Sequence, residues 1–442
     1  MSPAPRARVQ LEGFFREALA AVDSRGALTR VLAGAAPHLA IAGRPLEPEA
    51  RVWLLAVGKA AAAMAAAFEE RAGTRIAGGL AITKDGHGLP LQRIALREAA
   101  HPVPDARCER AAREALALIE RARPTDVLVV LLSGGASSLL ACPQGNLELA
   151  DLAATTAALL EAGADIEELN TVRKHLSAVA GGRLAARAAA QRIELLVISD
   201  VPGDRPDLIG SGPFSGDPTR FADALEVLAG RGLLSRIPRR VRDHLESGVR
   251  GDVAETPKPG EAGLARVHVT LLATNRMAVE AARDAAEKQG LSTRVLSEPL
   301  AGEAREAGAR LAALASAARV GAPLCLIAGG ETTVTVRGAG RGGRSQELAL
   351  AAAIALDDAE PTAVLAAGTD GSDGPTDAAG AFADEATLAR GRAAGLDARA
   401  ALAENDAYAF FAAEGGLFVT GPTHTNVMDL ALLRVDPAAT AS

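Results

Sequence analysis

Aromatic side chains are scarce in this sequence, and their scarcity narrows the classes of ligand that it can bind. They make up 2% of the 442 residues, with one Trp, one Tyr and nine Phe. Too few rings are present to stack the bases of single-stranded nucleic acid. The net charge of -7 also argues against a duplex-DNA or anionic-membrane surface. We therefore expect small-molecule ligands and neither a nucleic-acid nor a membrane partner.

Cysteine is also rare, and no metal-binding spacing is present. The three cysteines lie far apart without a CxxC pair, and the seven histidines show neither HxH nor HExxH spacing. A disulfide framework and a zinc site are therefore not predicted. The first eight residues lack the apolar segment of an export signal, and the longest strongly aliphatic run, Val127–Leu132, is far shorter than the ~20 residues of a membrane-spanning helix. We expect a cytoplasmic protein.

Lysine is the third residue type in short supply. Only five of the 47 basic residues are lysines, so each retained lysine merits attention. Lys59 follows Gly58 at the end of an apolar run, Val52–Val57, and precedes an Ala-rich helical segment. A lysine at a helix N-terminus can bind a phosphate or carboxylate, and the alternative is a solvated lysine at a strand end.

Short apolar runs, Gly-containing turns and Ala-rich helices alternate along the chain. The apolar runs cover Val52–Val57, Val127–Leu132, 195–199 and Val267–Ala273. Near-continuous apolar strands that alternate with helices predict a doubly wound α/β fold with a mostly parallel sheet. Ligands collect at the carboxyl ends of the strands in such sheets, and the polar turns of this sequence lie there.

The length of the chain predicts two or three domains. A segment at 251–263 is rich in Pro, Gly and charge and indicates a linker, so we place the domains at 1–255 and 264–442. Helical periodicity predicts one packing helix at 11–32. Alternating Thr and Val at 332–336 predict a strand with one solvated face, and hence a mixed sheet in the second domain.

A turn rich in small residues follows the run Val127–Leu132. It contains Ser133, Gly134, Gly135 and Ser137, whose amides and hydroxyls can form an anion-binding nest. A turn selected only for tight packing explains the same residues equally well. The order of a P-loop is absent, so a Walker-type phosphate site is not predicted.

Aspartates follow two of the apolar runs. Asp200 ends the run 195–199, where a carboxylate suits Mg²⁺ or a hydroxyl proton. Asp370 and Asp373 lie in a loop of Gly, Thr and Ser at 368–377 that offers oxygen ligands to a hard cation, although the EF-hand pattern is absent.

Residues 338–343 match GxGxxG and precede a helical segment that begins near Arg344. This pattern is typical of dinucleotide-binding folds but is a weak signal in a chain with 45 glycines. We interpret the segment as an anion-binding loop in which Arg344 can bind a carboxylate or phosphate with two hydrogen bonds.

Together these motifs resemble the class II glycerate 2-kinases, the MOFRL family. The resemblance runs from about residue 11 to 435. It rests on LLSGGASSLL, LNTVRKHLSAVAGGRLA, VISDVPGD, IGSGP, GGETTVTVRGAGRGGRSQELAL, GTDGSDGPTDAAGA and GPTHTNV.

The resemblance implies that a phosphoryl group passes from ATP, with Mg²⁺, to D-glycerate and gives 2-phosphoglycerate. It implies a larger Rossmann-like N-terminal domain and a smaller C-terminal α/β domain, with the active site in the cleft between them. Lys59 and Arg344 stand where the family has a lysine and an arginine that matter for activity. Ser345 departs from the Asn of many members, which leaves one substrate contact open.

The motifs and the resemblance together give the candidate site residues. The catalytic candidates are Lys59, Arg344 and Asp200, and the metal candidates are Asp370 and Asp373. The remaining candidates bind substrate or nucleotide: Ser133, Gly134, Gly135, Ser137, Asn170, Arg173, Lys174, Glu331, Thr332, Gln346, Glu347, Thr423 and Asn426.

Several questions stay open at this point. The sequence does not identify the catalytic base, the domain that binds ATP, or whether the chain forms a homodimer. The alternative function is a hydroxypyruvate reductase that binds NAD(P)H through 338–343. A third is a sensor that binds a sugar acid without turnover.

Overall fold

The structure is a computed structural model that describes residues 3–318, 321–356 and 362–437. Its contacts divide the chain into two units. One unit is Ser24–Leu272, and the other combines Met1–Asp23 with Ala273–Ser442. The first helix, α1 (Pro3–Ala21), belongs to the second unit. No helix in the described ranges has both the length and the apolar character that a membrane crossing requires.

The unit Ser24–Leu272 is built on a parallel sheet. Its strands are β1 (Leu32–Ala33), β2 (Ala40–Ile41), β3 (Arg44–Pro45), β4 (Val52–Val57), β5 (Ile76–Lys84), β6 (Ala95–Ala99), β7 (Val127–Leu132), β8 (Arg192–Ile198) and β9 (Val267–Ala273). Its helices are α2 (Ser24–Val31), α3 (Ala61–Ala72), α4 (Ala106–Glu120), α5 (Ala136–Leu139), α6 (Leu149–Glu161), α7 (Ile166–Leu176), α8 (Arg183–Arg187), α9 (Phe221–Gly230) and α10 (Arg239–Val249).

The main sheet of this unit has the order β6-β5-β4-β7-β8-β9, and the pairs from β6 to β8 are parallel. Every residue of β4 and β7 is buried, as the continuous apolar runs predict. Side chains from one face of these strands pack with α4 and α8 in one core. Helices α6, α7, α9 and α10 form a second apolar cluster within the same unit.

The other unit is built on a mixed sheet. Its strands are β10 (Ser292–Val295), β11 (Leu324–Gly330), β12 (Thr362–Gly368), β13 (Gly380–Ala383), β14 (Leu417–Phe418) and β15 (Asp429–Val435). Its further helices are α11 (Asn275–Lys288), α12 (Ala304–Ala317), α13 (Arg344–Ala355), α14 (Thr387–Ala393), α15 (Ala398–Ala403) and α16 (Ala407–Glu414). The strand order is β10-β11-β15-β12-β13-β14, with one parallel pair, β10 and β11, and four antiparallel pairs. The predicted α/β class and mixed sheet are confirmed.

The strand predicted at 332–336 is wrong. Only Thr333 forms an isolated bridge, to Glu303, and Val336 is 73% exposed. The carboxylate of Glu303 accepts hydrogen bonds from the amide and the hydroxyl of Thr335, so a side chain takes the place of a neighbouring strand. The alternation of Thr and Val therefore marks a half-exposed loop.

The helix predicted at 11–32 is two helices, because α1 ends at Ala21 and α2 begins at Ser24. Helix α1 packs on α11, and the hydroxyl of Thr425 donates a 2.7 Å hydrogen bond to the carbonyl of Val22. These contacts connect the N-terminal helix to the unit that contains Ala273–Ser442.

The segment 251–263 is part of the unit Ser24–Leu272, and the two units divide after Leu272. Buried Asp217 holds the segment: its carboxylate accepts from the Thr256 hydroxyl at 3.0 Å, and its amide donates to the Pro257 carbonyl at 2.8 Å. The composition correctly indicates a segment without helix or strand periodicity, but these long-range bonds fix it in place. The division into units thus differs from the predicted domains 1–255 and 264–442.

Candidate active site

Two predicted anion-binding turns meet at the carboxyl edge of the parallel sheet. Strands β4 and β7 are neighbours in register, so the residues that follow them lie side by side. The amide of Lys59 donates to the carbonyl of Gly134 at 2.9 Å, and the amide of Ala60 donates to the hydroxyl of Ser133 at 3.1 Å. Gly58 has φ +126°, and a Cβ there would lie 2.2 Å from that hydroxyl oxygen. Only glycine therefore permits this close approach.

Gly135 lies near the side chains of Lys59, which can bind an anion, and His101, which can transfer a proton. A Cβ on Gly135 would lie 3.4 Å from Cγ of Lys59 and 2.9 Å from Nε2 of His101. His101 is not among the site residues predicted from the sequence. Its signal is its position just beyond the end of β6 (Ala95–Ala99), which places it at the same edge of the sheet as Lys59.

A third turn joins this edge through a pair of serines. The hydroxyls of Ser137 and Ser211 lie 3.0 Å apart. Ser211 adopts φ +61°, a left-handed conformation that is uncommon for a residue with a Cβ. It lies in the loop that follows β8, as does Asp200, which is half-buried at the carboxyl end of that strand as predicted. Ser211 lies in the motif IGSGP but is not among the site residues predicted from the sequence.

Lys174, a candidate ligand-binding residue, is buried inside the unit. Its side chain is 2% exposed, and its Nζ lies 3.4 Å from Asp217 and 3.6 Å from Asp207. Burial alone would raise the pKa of Asp217, but the charge of Lys174 and hydrogen bonds from Thr219 hold that pKa below its usual range. The geometry favours a structural ion pair for Lys174.

Its helix neighbours Asn170 and Arg173 differ in their surroundings. Asn170 is buried, its Nδ2 donates to the carbonyl of Ile166 at 3.0 Å, and its Oδ1 accepts no hydrogen bond from the described chain. Arg173 is half-buried, and its Nε donates to the hydroxyl of Thr156 at 3.4 Å. Arg173 also lines a cavity of about 690 Å³ that reaches Gly135.

The second group of candidates lies at one edge of the mixed sheet. Asp429 begins β15 and is in register with Gly330, the last residue of β11, and with Gly368, the last residue of β12. Since β15 runs antiparallel to both strands, its start meets their ends. Glu331 follows β11 and Asp370 follows β12, so three carboxylates gather at this edge.

Arg344 binds two of these carboxylates. Its Nε lies 2.5 Å and its Nη2 2.9 Å from the two oxygens of Asp429, and Nη2 lies 2.7 Å from Glu331. Burial would lower the pKa of Arg344, but its hydrogen bonds to Asp429 and the charge of both carboxylates raise that pKa. The two-bond contact predicted for a substrate is made with Asp429, which the sequence analysis missed. Its only signal in the sequence is an aspartate at the start of an apolar run.

Asp373, a metal candidate, caps helix α13. Its carboxylate accepts hydrogen bonds from the amides of Ser345 at 3.1 Å and Gln346 at 2.8 Å, which satisfies two donors of the first helical turn. Burial, and next the charge of Asp429, raise the pKa of Asp373 to about 7. The side chain of Gln346 is also buried and donates to the hydroxyl of Thr376 at 3.0 Å.

Asp370, the other metal candidate, lies near Asp429, a partner of Arg344. A Cβ on Gly368 would lie 3.4 Å from Asp370 and 3.3 Å from Asp429, so the two carboxylates adjoin the same glycine. Asp370 accepts hydrogen bonds from the amide and hydroxyl of Ser372. Within the described ranges, no group of three or more His, Cys, Asp or Glu side chains is arranged to hold a metal ion.

The four remaining candidates are buried or form hydrogen bonds within the protein. Glu347 is buried and binds Arg305 and Asn405. The hydroxyl of Thr423 donates to the carbonyl of Thr369 at 2.5 Å. The side-chain oxygen of Asn426 accepts from the amide of Met428, and Thr332 is 3% exposed.

Comparison with known proteins decides the family. Residues 10–246 match a family described as a domain of unknown function, DUF4147, and residues 324–429 match the MOFRL family. A glycerate 2-kinase from Pyrococcus horikoshii is 40% identical over 422 residues, which cover 94% of each chain. This chain belongs to the glycerate 2-kinase family. A D-glycerate 2-kinase from Thermotoga maritima is 42% identical over 386 residues, 86% of this chain and 89% of that one.

A solved structure supports the fold. The crystal structure of a glycerate kinase from Thermotoga maritima matches with a TM-score of 0.83 and 38% identity, over 98% of this chain and 99% of that one. The α/β fold described above is therefore that of glycerate kinases.

The GxGxxG segment of this chain, residues 338–343, does not have the geometry of a dinucleotide site. The preceding residues form no strand, and the amide of Gly340 donates to the carbonyl of Glu404 at 3.0 Å. A Cβ on Gly340 would lie 2.4 Å from the Cβ of Asp406, and one on Gly343 would lie 2.2 Å from the carboxyl carbon of Asp373. These glycines admit protein neighbours rather than a pyrophosphate, and Asp373 occupies the start of α13.

Proposed function

We propose that this chain transfers the γ-phosphoryl group of ATP to the 2-hydroxyl of D-glycerate, giving 2-phosphoglycerate and ADP. The names and high coverage of its relatives support this reaction. The observation that carries it is the joining of the Lys59 turn to the turn at Ser133, Gly134 and Gly135. This pairing gathers a cation, hydroxyls and backbone amides at one edge of a parallel sheet.

That edge has the groups that phosphoryl transfer requires. The reaction depends mainly on positioning and on neutralising charge that develops on the transferred oxygens. Lys59 supplies a positive charge at the start of α3, whose 12 residues add a favourable dipole for anions. We propose that Lys59 neutralises the phosphoryl oxygens and that the Ser133 turn and Ser137 orient them.

Arg344 has a different role in this proposal. A guanidinium has five N–H donors, and Asp429 and Glu331 bind those on Nε and Nη2. We propose that Asp429 and Glu331 orient Arg344 so that Nη1 binds the carboxylate of glycerate or a phosphate oxygen. Asp429 then acts as a positioning residue, and Arg344 touches the substrate.

The two metal candidates fit Mg²⁺ unequally. Both oxygens of Asp373 accept backbone hydrogen bonds in a buried site, so Asp373 fits a metal poorly. Asp370 fits better, because Mg²⁺ bound to a nucleotide usually needs one or two carboxylates besides phosphate and water oxygens. We propose that Asp370 holds Mg²⁺, with Asp200 as the other candidate. When bound, Mg²⁺ supplies positive charge that offsets the charge of the phosphates.

The reductase alternative is suggested by the name of a relative, but the loop 338–343 does not have the geometry that it requires. A relative from Agrobacterium vitis, 43% identical over 422 residues that cover 92% of this chain and 94% of that one, carries only a provisional name as a hydroxypyruvate reductase. A reductase would bind NAD(P)H at 338–343, but other residues of the protein occupy the space next to the glycines of that loop.

One set of assays separates these functions. The purified protein is given ATP, MgCl₂ and D-glycerate, and ADP formation is followed. Enolase, which accepts only the 2-isomer of phosphoglycerate, then identifies the product. Parallel samples contain L-glycerate, or hydroxypyruvate with NADH or NADPH. We expect ADP and an enolase-reactive product only in the sample that contains ATP, MgCl₂ and D-glycerate. NADH oxidation without ADP formation would overturn the proposal, and binding of D-glycerate without either reaction would favour the sensor.

The cellular setting is also a proposal. All three cysteines are buried free thiols, and burial raises the pKa of Cys325 to about 12. Free thiols fit a reducing cytoplasm. Light scattering on the purified protein tests the homodimer that the sequence left open.

A further inference from the structure

The unit Ser24–Leu272 contains one cavity that the proposed reaction has not yet used. Its volume is about 690 Å³, and helices α6 and α7 and the turn after β7 form its walls. The inner wall is apolar and includes Leu140, Leu159, Val172, Leu176 and Val179. Cavities of this size and character typically enclose an organic ligand with a large apolar part.

One end of this cavity meets the proposed phosphoryl edge. Gly135, Ser137, Ser211 and His101 line it, and a Cβ on Gly135 would lie 3.4 Å from Cγ of Lys59. A ligand in the cavity can therefore lie with an anionic end next to a lysine and two hydroxyls. The apolar wall between α6 and α7 is left for an uncharged part of the same ligand.

Arg173 gives the cavity a charge that the protein leaves unbalanced. It lines the cavity, and its one bond to a side chain of the described chain is the long contact to the neutral hydroxyl of Thr156. Burial lowers the pKa of Arg173, and no charged neighbour in the described ranges offsets that effect. A half-buried guanidinium without a carboxylate partner is costly unless an anion binds it. This residue points to an anionic ligand.

We propose that this cavity is the ATP-binding site, with the adenine and ribose against the wall of α6 and α7 and the phosphates toward Arg173 and Lys59. The inference rests on the proposed kinase function. Glycerate, with three carbons, is too small and too polar to fill such a space, whereas a nucleoside triphosphate has both an apolar ring system and a negative tail. The proposal assigns ATP to the unit Ser24–Leu272.

The test fills the cavity from helix α6. Ala153 is half-buried and lines the cavity, so Ala153→Phe places a ring inside it, whereas exposed Ala150 on the same helix does not line it. Ala150→Phe is the matched control, and Arg173→Met removes the charge. Titration calorimetry gives the Kd of each protein for ATP, ADP and adenosine, and steady-state assays give KM for ATP and for D-glycerate.

We expect Ala153→Phe to weaken ATP and adenosine binding at least 10-fold, with KM for D-glycerate changed less than 2-fold. Arg173→Met should weaken ATP binding at least 10-fold and adenosine binding less than 3-fold. The control should match the wild type. If the wild type phosphorylates glycerate but both variants bind ATP with its Kd, the assignment of ATP to this cavity is wrong and the proposed function stands. A wild type that binds neither ATP nor ADP and forms no product would instead overturn the proposed function.

A second measurement avoids any dependence on variants that fail to fold. Wild-type protein is photolabelled with 8-azido-ATP in the presence and absence of excess ATP, and the labelled peptides are identified by mass spectrometry. We expect ATP-protected label in peptides from α6 or α7. Protected label only in peptides from Ala273–Ser442 would contradict the assignment.

Discussion

Asp429 accepts two hydrogen bonds from Arg344, at 2.5 Å from Nε and 2.9 Å from Nη2. The pair joins the first residue of β15 to the first residue of α13, 85 positions earlier in the chain. Parallel hydrogen bonds between a guanidinium and a carboxylate fix the direction of the arginine as well as its charge. A residue that binds a substrate gains from such fixing, because its geometry is set before the substrate arrives.

Replacing Arg344 by lysine tests this geometry. Lysine keeps the charge but cannot make two parallel bonds to Asp429, so we expect kcat/KM for D-glycerate to fall about 100-fold. Arg341→Lys is the control, since Arg341 is exposed in the same loop and lies over the ring of Tyr408. Equal activities of the two variants would contradict the proposal that Arg344 binds the substrate.

Asp429→Asn separates positioning from direct action. The variant loses one charge-assisted bond to Arg344, and we expect kcat to fall about 10-fold while the free energy of unfolding drops by about 2 kcal/mol. If Asp429 acts through Arg344, the double variant Asp429→Asn/Arg344→Lys is no worse than Arg344→Lys. Multiplicative losses in the double variant would mean that Asp429 acts independently.

Lys59→Ala should lower turnover by about 100- to 1,000-fold without unfolding the protein, because its charge is proposed to act on the phosphoryl oxygens. Lys288→Ala, at the exposed end of α11, controls for the loss of a lysine. Kinetics and thermal unfolding are measured on both. Near-wild-type turnover in Lys59→Ala would mean that Lys59 has no role in catalysis and is a solvated lysine at a strand end.

The buried carboxyl of Asp373 should make stability depend on pH. Its pKa of about 7 in the fold exceeds the ~3.9 of an unfolded chain, so the folded state binds more protons between these values. The stabilisation is complete below about pH 4 and is lost as the pH rises through about 7. Denaturant titrations should show the free energy of unfolding falling by about 2 to 4 kcal/mol over this range.

Asp373→Asn isolates the contribution of that group. Asparagine cannot ionise, so the slope of stability against pH between about 4 and 7 should flatten, although the variant also loses part of the cap of α13. An unchanged slope would assign the pH dependence to other groups.

Two glycines of the 338–343 loop test the packing explanation for GxGxxG. Gly340→Ala places a Cβ 2.4 Å from Asp406 and should cost about 1 to 3 kcal/mol of stability. At Gly342 the nearest atom is 3.4 Å away, so Gly342→Ala should be nearly neutral. Thermal unfolding compares the two. If the wild type oxidises NADH and Gly340→Ala does not, the reductase hypothesis is favoured instead.

The strands that carry the site follow directly from the sequence, because apolar runs bounded by Gly turns encode β4 and β7 locally. The strand order, which the sequence analysis did not predict, makes β4 and β7 neighbours and brings Lys59 beside Ser133. Asp429 could not be found in this way. Its partner Arg344 is distant in sequence, and only the antiparallel placement of β15 between β11 and β12 brings the two together.

Composition also misleads where buried polar groups replace apolar packing. The segment 251–263 has the composition of a linker, yet Asp217 binds Thr256 from a buried position. Lys174, predicted to bind substrate or nucleotide, balances the charge of the same carboxylate. Hydrophobic periodicity carries no signal for such polar networks.

Helix α1 has a consequence for biosynthesis. It is synthesised long before its partners, among them α11 and Asp384, which accepts a 2.8 Å hydrogen bond from Arg8. The intervening residues, Ser24–Leu272, can complete their own sheet while α1 waits with its apolar face uncovered. The unit that holds Arg344 therefore assembles only after β15 has been synthesised, and we expect chaperones to bind the uncovered face of α1 until then.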